Sequence, residues 1–205
     1  MEALKKADPR PRVLVQASAI GFYGNRYDET LDETSASGTG FLADTAIQWE
    51  RAAQAADALG VRQAVIRTGV VLGRDGGFLS RVNTPFNFFM GGHLGSGRQW
   101  ISWIHIDDEA AAIRFLMERD DLAGPFNLTA PGPLKAKDFF QKLGRVLKRP
   151  SWFPVPGFVL QIFLGELATE LLLSGQRVLP RRLLQAGFDF RYKDAESALR
   201  QVFGA

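Results

Sequence analysis

The chain has 205 residues, 46% of them hydrophobic, which suffices for one large domain or a domain with an appendage. It has no cysteine and two histidines, which excludes disulfide bonds and thiolate metal sites and argues against a histidine-rich metal centre. Its 25 basic and 22 acidic residues are spread along the chain, a pattern typical of solvated helix faces and not of a nucleic-acid-binding stripe. The longest apolar stretch, residues 158–173, contains two glutamates and so does not predict a membrane span. We therefore expect a soluble, cytoplasmic protein. We also expect no binding to nucleic acid.

A short aliphatic run at residues 13–15 leads directly into polar residues and glycines at 18–24. Such a run predicts a strand buried on both faces, as in a parallel sheet covered by helices. Residues 61–73 predict a second buried strand, and apolar spacing over 41–59 predicts a helix between the two that ends at Gly60. The order predicts a right-handed βαβ unit with a site at the carboxyl ends of its strands.

The rest of the chain changes from mixed to helical character. Asp107 is predicted to cap a helix that runs to residue 117, and residues 124–129 are predicted to form a third strand. Beyond Pro131, proline and glycine separate predicted helices at about 136–147, 157–173, 180–186 and 194–203. These helices are predicted to pack on the sheet portion as a small second lobe.

Phosphate-binding loops are not evident. The G-x-G-x-x-A pattern of Gly38, Gly40 and Ala43 follows acidic and polar residues instead of a buried strand, so it does not predict a dinucleotide turn. No glycine is followed by Lys-Ser or Lys-Thr, as a Walker-type loop requires.

Several side chains near the predicted strand ends suit a binding site, and each has an alternative interpretation. Ser18 either lines the site or satisfies backbone groups, and Tyr23 either lines it or packs in the core. Arg67 lies in an apolar strand, where its charge needs either a phosphate or an internal carboxylate. His105 lies between apolar residues, which favours a buried, hydrogen-bonded histidine over a catalytic base.

Taken together, several segments resemble the epimerase-like family of atypical, extended short-chain dehydrogenase/reductases, which has a small C-terminal domain of the DUF1731 type. They are SAIGFYG (18–24), WERAAQAA (49–56), VIRTGVVLGRDGG (65–77), GGHLGSGRQWISWIHIDD (91–108), NLTAPGP (127–133) and SGQRVLPRRLLQAGFDF (174–190). The resemblance covers nearly the whole chain. It implies an NAD(P)-dependent epimerase or reductase-like protein of unknown substrate.

The resemblance also implies the fold: α/β, with a partial Rossmann-like parallel sheet flanked by helices and a C-terminal, mostly helical lobe. Residues 1–130 would be the later half of an NAD(P)-binding domain, with 74–106 contributing to the substrate side, and 131–205 the helical domain. Relative to such proteins the opening strand and its glycine-rich turn are missing, so we expect an N-terminally truncated chain. NADP or NAD is expected for the full-length relative, with weak or absent binding by this chain. The strand at residue 13 would expose an edge that allows self-association.

Catalytic relatives use a Ser or Thr to orient the substrate, a Tyr to transfer the proton and a Lys to lower the tyrosine pKa. Ala19 stands where the hydroxyl is usual, with Ser18 one position earlier, while Phe41 and Thr45 fall near the Tyr and Lys positions. The predicted catalytic residues are therefore Ser18 and Tyr23. The alternatives are a non-catalytic nucleotide-binding or regulatory protein and an inactive gene fragment.

The resemblance assigns further site residues by position. Val70 stands where sugar-modifying relatives often have Asn, which weakens a nucleotide-sugar assignment. No metal ligands are predicted. The predicted cofactor-binding residues are Ser18, Arg67, Gly69, Val70 and Arg74, and the predicted substrate residues are Gln99, Trp103 and His105.

Overall fold

The main sheet of the protein has three parallel strands in the order β1–β3–β7, where β1 is Val13–Ala19, β3 is Arg62–Thr68 and β7 is Gly124–Leu128. The structure, a computed structural model, describes residues 2–74, 76–154 and 174–204. Val13 pairs with Arg62 and Ala19 with Thr68, so the predicted parallel arrangement of the first two strands is confirmed. The predicted third strand is confirmed beside them.

The described helices are α1 Glu2–Lys6, α2 Phe41–Ala53, α3 Gly77–Asn87, α4 Ile106–Glu118, α5 Ala136–Leu147, α6 Arg181–Gln185 and α7 Ala195–Phe203. The remaining strands are β2 Thr30–Leu31, β4 Val70–Leu72, β5 Trp100–Ile101, β6 Trp103–His105, β8 Leu134–Lys135 and β9 Arg177–Val178. The predicted α/β class is confirmed. The predicted helix at 157–173 lies outside the described residues.

Helix α2 connects β1 to β3 and packs on the sheet through small side chains. Ala43, Ala46 and Ala53 are buried, while Trp49 is 52% exposed. Alanines allow the helix axis to lie close to β1, and the indole is left at the rim of a cavity. A 3₁₀ segment, Gln54–Leu59, continues α2 to Gly60, whose positive φ of 70° suits glycine.

The single strand predicted over residues 61–73 is wrong, because the chain changes sheets at Gly69. The Gly69 N–H donates to the carbonyl of Leu128 at 3.1 Å, and the next N–H, of Val70, donates to that of Ser102 at 2.8 Å. Strand β4 then pairs in parallel with β6. A Cβ on Gly69 would lie 2.5 Å from the Ser102 carbonyl oxygen, so only glycine permits this close crossing.

Two short strand pairs fasten the later part of the chain to the earlier part. β2 pairs in parallel with β9, and β5 pairs antiparallel with β8. The prediction that Asp107 caps α4 is wrong: the N-cap is His105, whose Nδ1 accepts a hydrogen bond from the Asp107 N–H at 3.1 Å. Asp194 caps α7 by accepting from two backbone N–H groups.

Two apolar clusters form most of the described core. One joins β4 and β6 to helices α3, α5 and α7 through residues such as Trp103 and Phe139. The other covers a face of the main sheet with α4 and α6 through residues such as Phe126 and Leu116. None of the helices within the described ranges is long and apolar enough to cross a membrane.

Candidate functional site

A cavity of about 290 Å³ lies at the carboxyl ends of β1 and β3. Ala19 and Thr68, the last residues of these strands, line it together with Ile20 and Gly21 of the following 3₁₀ turn. Ligands of open α/β sheets bind at this edge, where side chains and backbone groups from several loops converge. The sequence predicted a site here.

The walls of the cavity are mainly apolar and aromatic. Among the described residues that line it, none has an ionisable side chain. The large apolar wall residues are Ile20, Leu42, Trp49, Val70, Phe78, Leu94, Trp100, Ile101 and Phe140. Such a lining desolvates a ligand but supplies no group that exchanges a proton near neutral pH.

Polar side chains in the wall are engaged with the protein itself. The Thr45 hydroxyl donates to a carbonyl of its own helix at 2.8 Å. The Thr68 side chain is hydrogen-bonded to the carboxyl of Glu109, and burial raises the pKa of Glu109 above its usual value despite this bond. Ser102 Oγ donates to the carbonyl of Gln176 at 2.7 Å and accepts from the Val178 N–H at 2.9 Å.

A buried polar network lies behind the floor of the cavity. Arg67 Nε and Nη2 donate to the two carboxylate oxygens of Glu50 at 2.9 and 2.8 Å, and Ser18 Oγ donates to Glu50 Oε1 at 2.8 Å. Ser18 and Arg67 are directly opposite each other on β1 and β3, and Glu50 reaches them from α2. This network therefore fixes the helix against both strands.

Tyr23 extends the network toward β7. Its hydroxyl donates to Asn127 Oδ1 at 2.7 Å and accepts from Arg67 Nη1 at 3.0 Å, and its side chain is completely buried. Burial raises the pKa of the Tyr23 phenol, which outweighs the lowering by the Arg67 cation. The Arg67 guanidinium also stacks on the Phe22 ring, 3.5 Å from its centroid.

The structure brings only some of the predicted site residues together. Gly69, Val70 and Gln99 line the cavity. Ser18, Tyr23 and Arg67 belong to the network behind the cavity. Trp103 and His105 are buried outside the cavity, where Trp103 is hydrogen-bonded to the Gly132 carbonyl and His105 to Gln201. Arg74 is exposed.

Sequence reasoning did not identify Glu50 as part of the site. The available signal was an arginine in an apolar strand, which requires either an internal carboxylate or a bound anion; Glu50 supplies the first. Which carboxylate would reach it depends on how α2 crosses the sheet. Leu94, Ser102 and Gln176 were likewise not singled out, because they come from separate connecting segments that meet only in the folded chain.

A polar cleft adjoins the cavity and shares Gln99, Ser174 and Gly175 with it. Cationic and anionic side chains line this cleft, namely Arg98, Lys135, Lys137, Asp28 and Asp138. Lys135 forms an ion pair with Asp28. Charged side chains therefore line the adjoining cleft, whereas none of the described residues of the cavity wall is charged.

The chain is similar to several curated proteins. It is 44% identical over 200 residues to "Epimerase family protein YfhF" of Bacillus subtilis, covering 97% of this chain and 65% of that protein. It is 47% identical over 196 residues to "Epimerase family protein SDR39U1 homolog, chloroplastic" of Arabidopsis thaliana, covering 96% and 56%. It is 39% identical over 204 residues to "Epimerase family protein SAR0825" of Staphylococcus aureus, covering 98% and 67%. The chain thus spans about two thirds of the length of these relatives, or less.

A family model described as "Domain of unknown function (DUF1731)" matches residues 155–202. Among solved structures, human epimerase family protein SDR39U1 (isoform2) with NADPH superimposes with a TM-score of 0.87 at 31% identity, covering 98% of this chain and 68% of that one. A nucleoside-diphosphate sugar epimerase from Corynebacterium glutamicum gives a TM-score of 0.78 at 32% identity, covering 99% and 40%. UDP-glucose 4-epimerase from Thermus thermophilus with NAD gives 0.72 at 15% identity, covering 95% and 65%, which shows a shared fold alone.

Proposed function

Because this chain belongs to the epimerase family of extended short-chain dehydrogenase/reductases, we propose that its cavity supports NAD(P)-dependent redox chemistry on a small molecule. The observation that carries the proposal is the position of the cavity at the carboxyl ends of parallel strands. The NADPH in the human relative supports it. A nicotinamide, when bound, donates or accepts a hydride.

The residues at the strand ends fit a flat nicotinamide ring. Ala19, Gly21 and Gly69 provide a surface without bulky side chains, and Val70 borders it with an apolar one. A Cβ on Gly21 would already approach Leu42 Cβ at 3.3 Å, so this surface has little space for larger residues. These residues would hold the ring, and the apolar walls would exclude water from it.

Ser18, Tyr23 and Arg67 act, in this proposal, by positioning the cavity floor. The Tyr23 hydroxyl donates a hydrogen bond to Asn127 Oδ1 and burial raises its pKa, and the Ser18 hydroxyl donates a hydrogen bond to Glu50. Both hydroxyl groups are thus committed to the buried network. Their predicted direct role in catalysis stays a prediction, tested by turnover of the Ser18→Ala and Tyr23→Phe variants.

The experiment compares reduced nicotinamide mononucleotide with NADPH, each titrated into the chain by calorimetry. If the chain contacts mainly the nicotinamide end, the two ligands should bind with dissociation constants within about tenfold of each other. Ala19→Phe, which fills the surface, should weaken both at least tenfold. Ala110→Phe, at an exposed position of α4, is the matched control and should bind as the unaltered chain does.

The proposal requires binding by this chain that is at least weak, so both titrations extend to millimolar ligand, and absence of binding by both ligands at that concentration would refute it. So would equal losses in the two phenylalanine variants.

A second candidate is a nucleotide-responsive binding protein without turnover. It is favoured by the cavity wall, in which no described residue has an ionisable side chain. Nicotinamide binding without hydride transfer to any carbonyl compound would support this candidate.

A further inference from the structure

The cavity and the cleft beside it differ sharply in charge. Arg98, Lys135 and Lys137 stand in the outer cleft, whereas no described residue of the cavity wall is charged. The inner wall presents Leu94, Phe78 and other large apolar side chains. An ionised group placed in the cavity would lose hydration and would gain no counter-charge from the described residues of the wall.

Several of the donor groups in the described wall are already engaged with the protein, which leaves fewer of them for the hydroxyl groups of a ligand. The wall hydroxyls of Thr45 and Ser102 donate to protein carbonyls, and Thr68 is bonded to Glu109. Gln99 Nε2 donates to the carbonyl of Leu94 at 2.9 Å. A sugar ring carries hydroxyl groups on most of its carbons and would lose much of its hydration without replacement.

We propose that the part of the ligand that enters this cavity is an uncharged, apolar ring with few hydroxyl groups, and not a sugar. The inference rests on the proposed function, since it names the substrate class of the same site. The charged cleft can accept an ionised substituent, so such groups remain outside the cavity. Val70 at the inner wall agrees with this assignment, because an aliphatic side chain offers a sugar hydroxyl nothing to bond.

The test uses two ring compounds of similar size, 2-decalone and glucose, with UDP and UDP-glucose as a second pair. Trp49 and Trp100 line the cavity, so ligand binding is followed by tryptophan fluorescence and confirmed by calorimetry. Decalone should bind at least tenfold more tightly than glucose. UDP-glucose should bind no more tightly than UDP, because the sugar would add nothing.

A matched pair of variants locates the binding. Leu94→Gln places a carboxamide in the wall and should weaken decalone binding at least tenfold, whereas Leu184→Gln, exposed on α6, should not. The comparison of ligands on the unaltered chain remains decisive if Leu94→Gln fails to fold.

Tighter binding of glucose than of decalone, or a gain from the sugar of UDP-glucose, would overturn the inference. So would decalone binding that is equal in the two glutamine variants. The proposed function and this inference can fail independently. Decalone binding is measured without a nicotinamide ligand, so it does not depend on the proposed function. Nicotinamide binding can be observed even if the cavity prefers glucose to decalone.

Discussion

Replacing Glu50 by glutamine should lower the free energy of unfolding by about 3–5 kcal/mol, the usual cost of leaving a buried charge without its partner. The Arg67 side chain is 5% exposed and that of Glu50 is 13% exposed, so solvent does little to screen the remaining cation. Glutamine keeps one acceptor oxygen but loses one of the two charge-assisted bonds, each worth about 1.5–3 kcal/mol. Against a typical total of about 5–15 kcal/mol, the loss is large.

Equilibrium unfolding in urea, followed by far-UV circular dichroism at neutral pH, measures this loss. The transition midpoint should fall, and the dependence on urea should stay constant because the same surface is exposed. Glu50→Leu combined with Arg67→Met is the control, since it removes both charges. The double variant should be much more stable than the sum of the single losses predicts.

A cost below about 1 kcal/mol for Glu50→Gln would refute the reasoning, because an exposed pair behaves that way. Additive losses in the double variant would refute it as well. In either case the pair would not be what holds α2 against β1 and β3.

Two further predictions concern the residues around the cavity. Gly69→Ala should destabilise the protein by about 1–3 kcal/mol in the same assay, because its Cβ would meet the Ser102 carbonyl oxygen at 2.5 Å. Glu109→Gln should raise the thermal midpoint at pH 8 but not at pH 3. Burial raises the pKa of Glu109 in the folded state. The contribution of Glu109 to stability is therefore complete below its unfolded-state pKa and is lost as the pH rises through its folded-state pKa.

Each has a matched control. A Cβ on Gly76 meets nothing within 4 Å, so Gly76→Ala should be nearly neutral, and equal losses at both glycines would count against the close crossing. Glu118→Gln, exposed on the same helix as Glu109, reports the effect of an exposed glutamine. A stabilisation by Glu109→Gln that is the same at both pH values would contradict the burial argument.

Elements with a clear periodic pattern could be predicted from the sequence. The aliphatic run at 13–15, the spacing over 136–147 and the resemblance of whole motifs led to the parallel strands, helix α5 and the family, all of which are confirmed. The break at Gly69 could not be predicted, since the strand-like sequence AVIRTGVVL (64–72) continues across it. Its cause is the approach of the Ser102 backbone from another part of the chain.

The location of the site could be predicted, but its composition could be predicted only in part. Parallel strands place their carboxyl ends together, and the cavity lies there. Arg67 required an anion, and its identity as Glu50 depends on the rotation of α2 over the sheet. The division of the chain at 130 and the tendency to self-associate stay predictions.

The pairing of β2 with β9 holds one wall of the cavity in place. Residues 174–176 form part of the wall. The residues that follow are attached by the pairing of Leu31 with Val178 and by a hydrogen bond from the Leu179 N–H to the Leu31 carbonyl at 2.9 Å. The Val178 N–H also donates to Ser102 Oγ. The wall cannot swing outward as a rigid flap while these bonds persist. A ligand would therefore enter and leave through the open mouth of the cavity, past side chains such as Trp49, and not by movement of this wall.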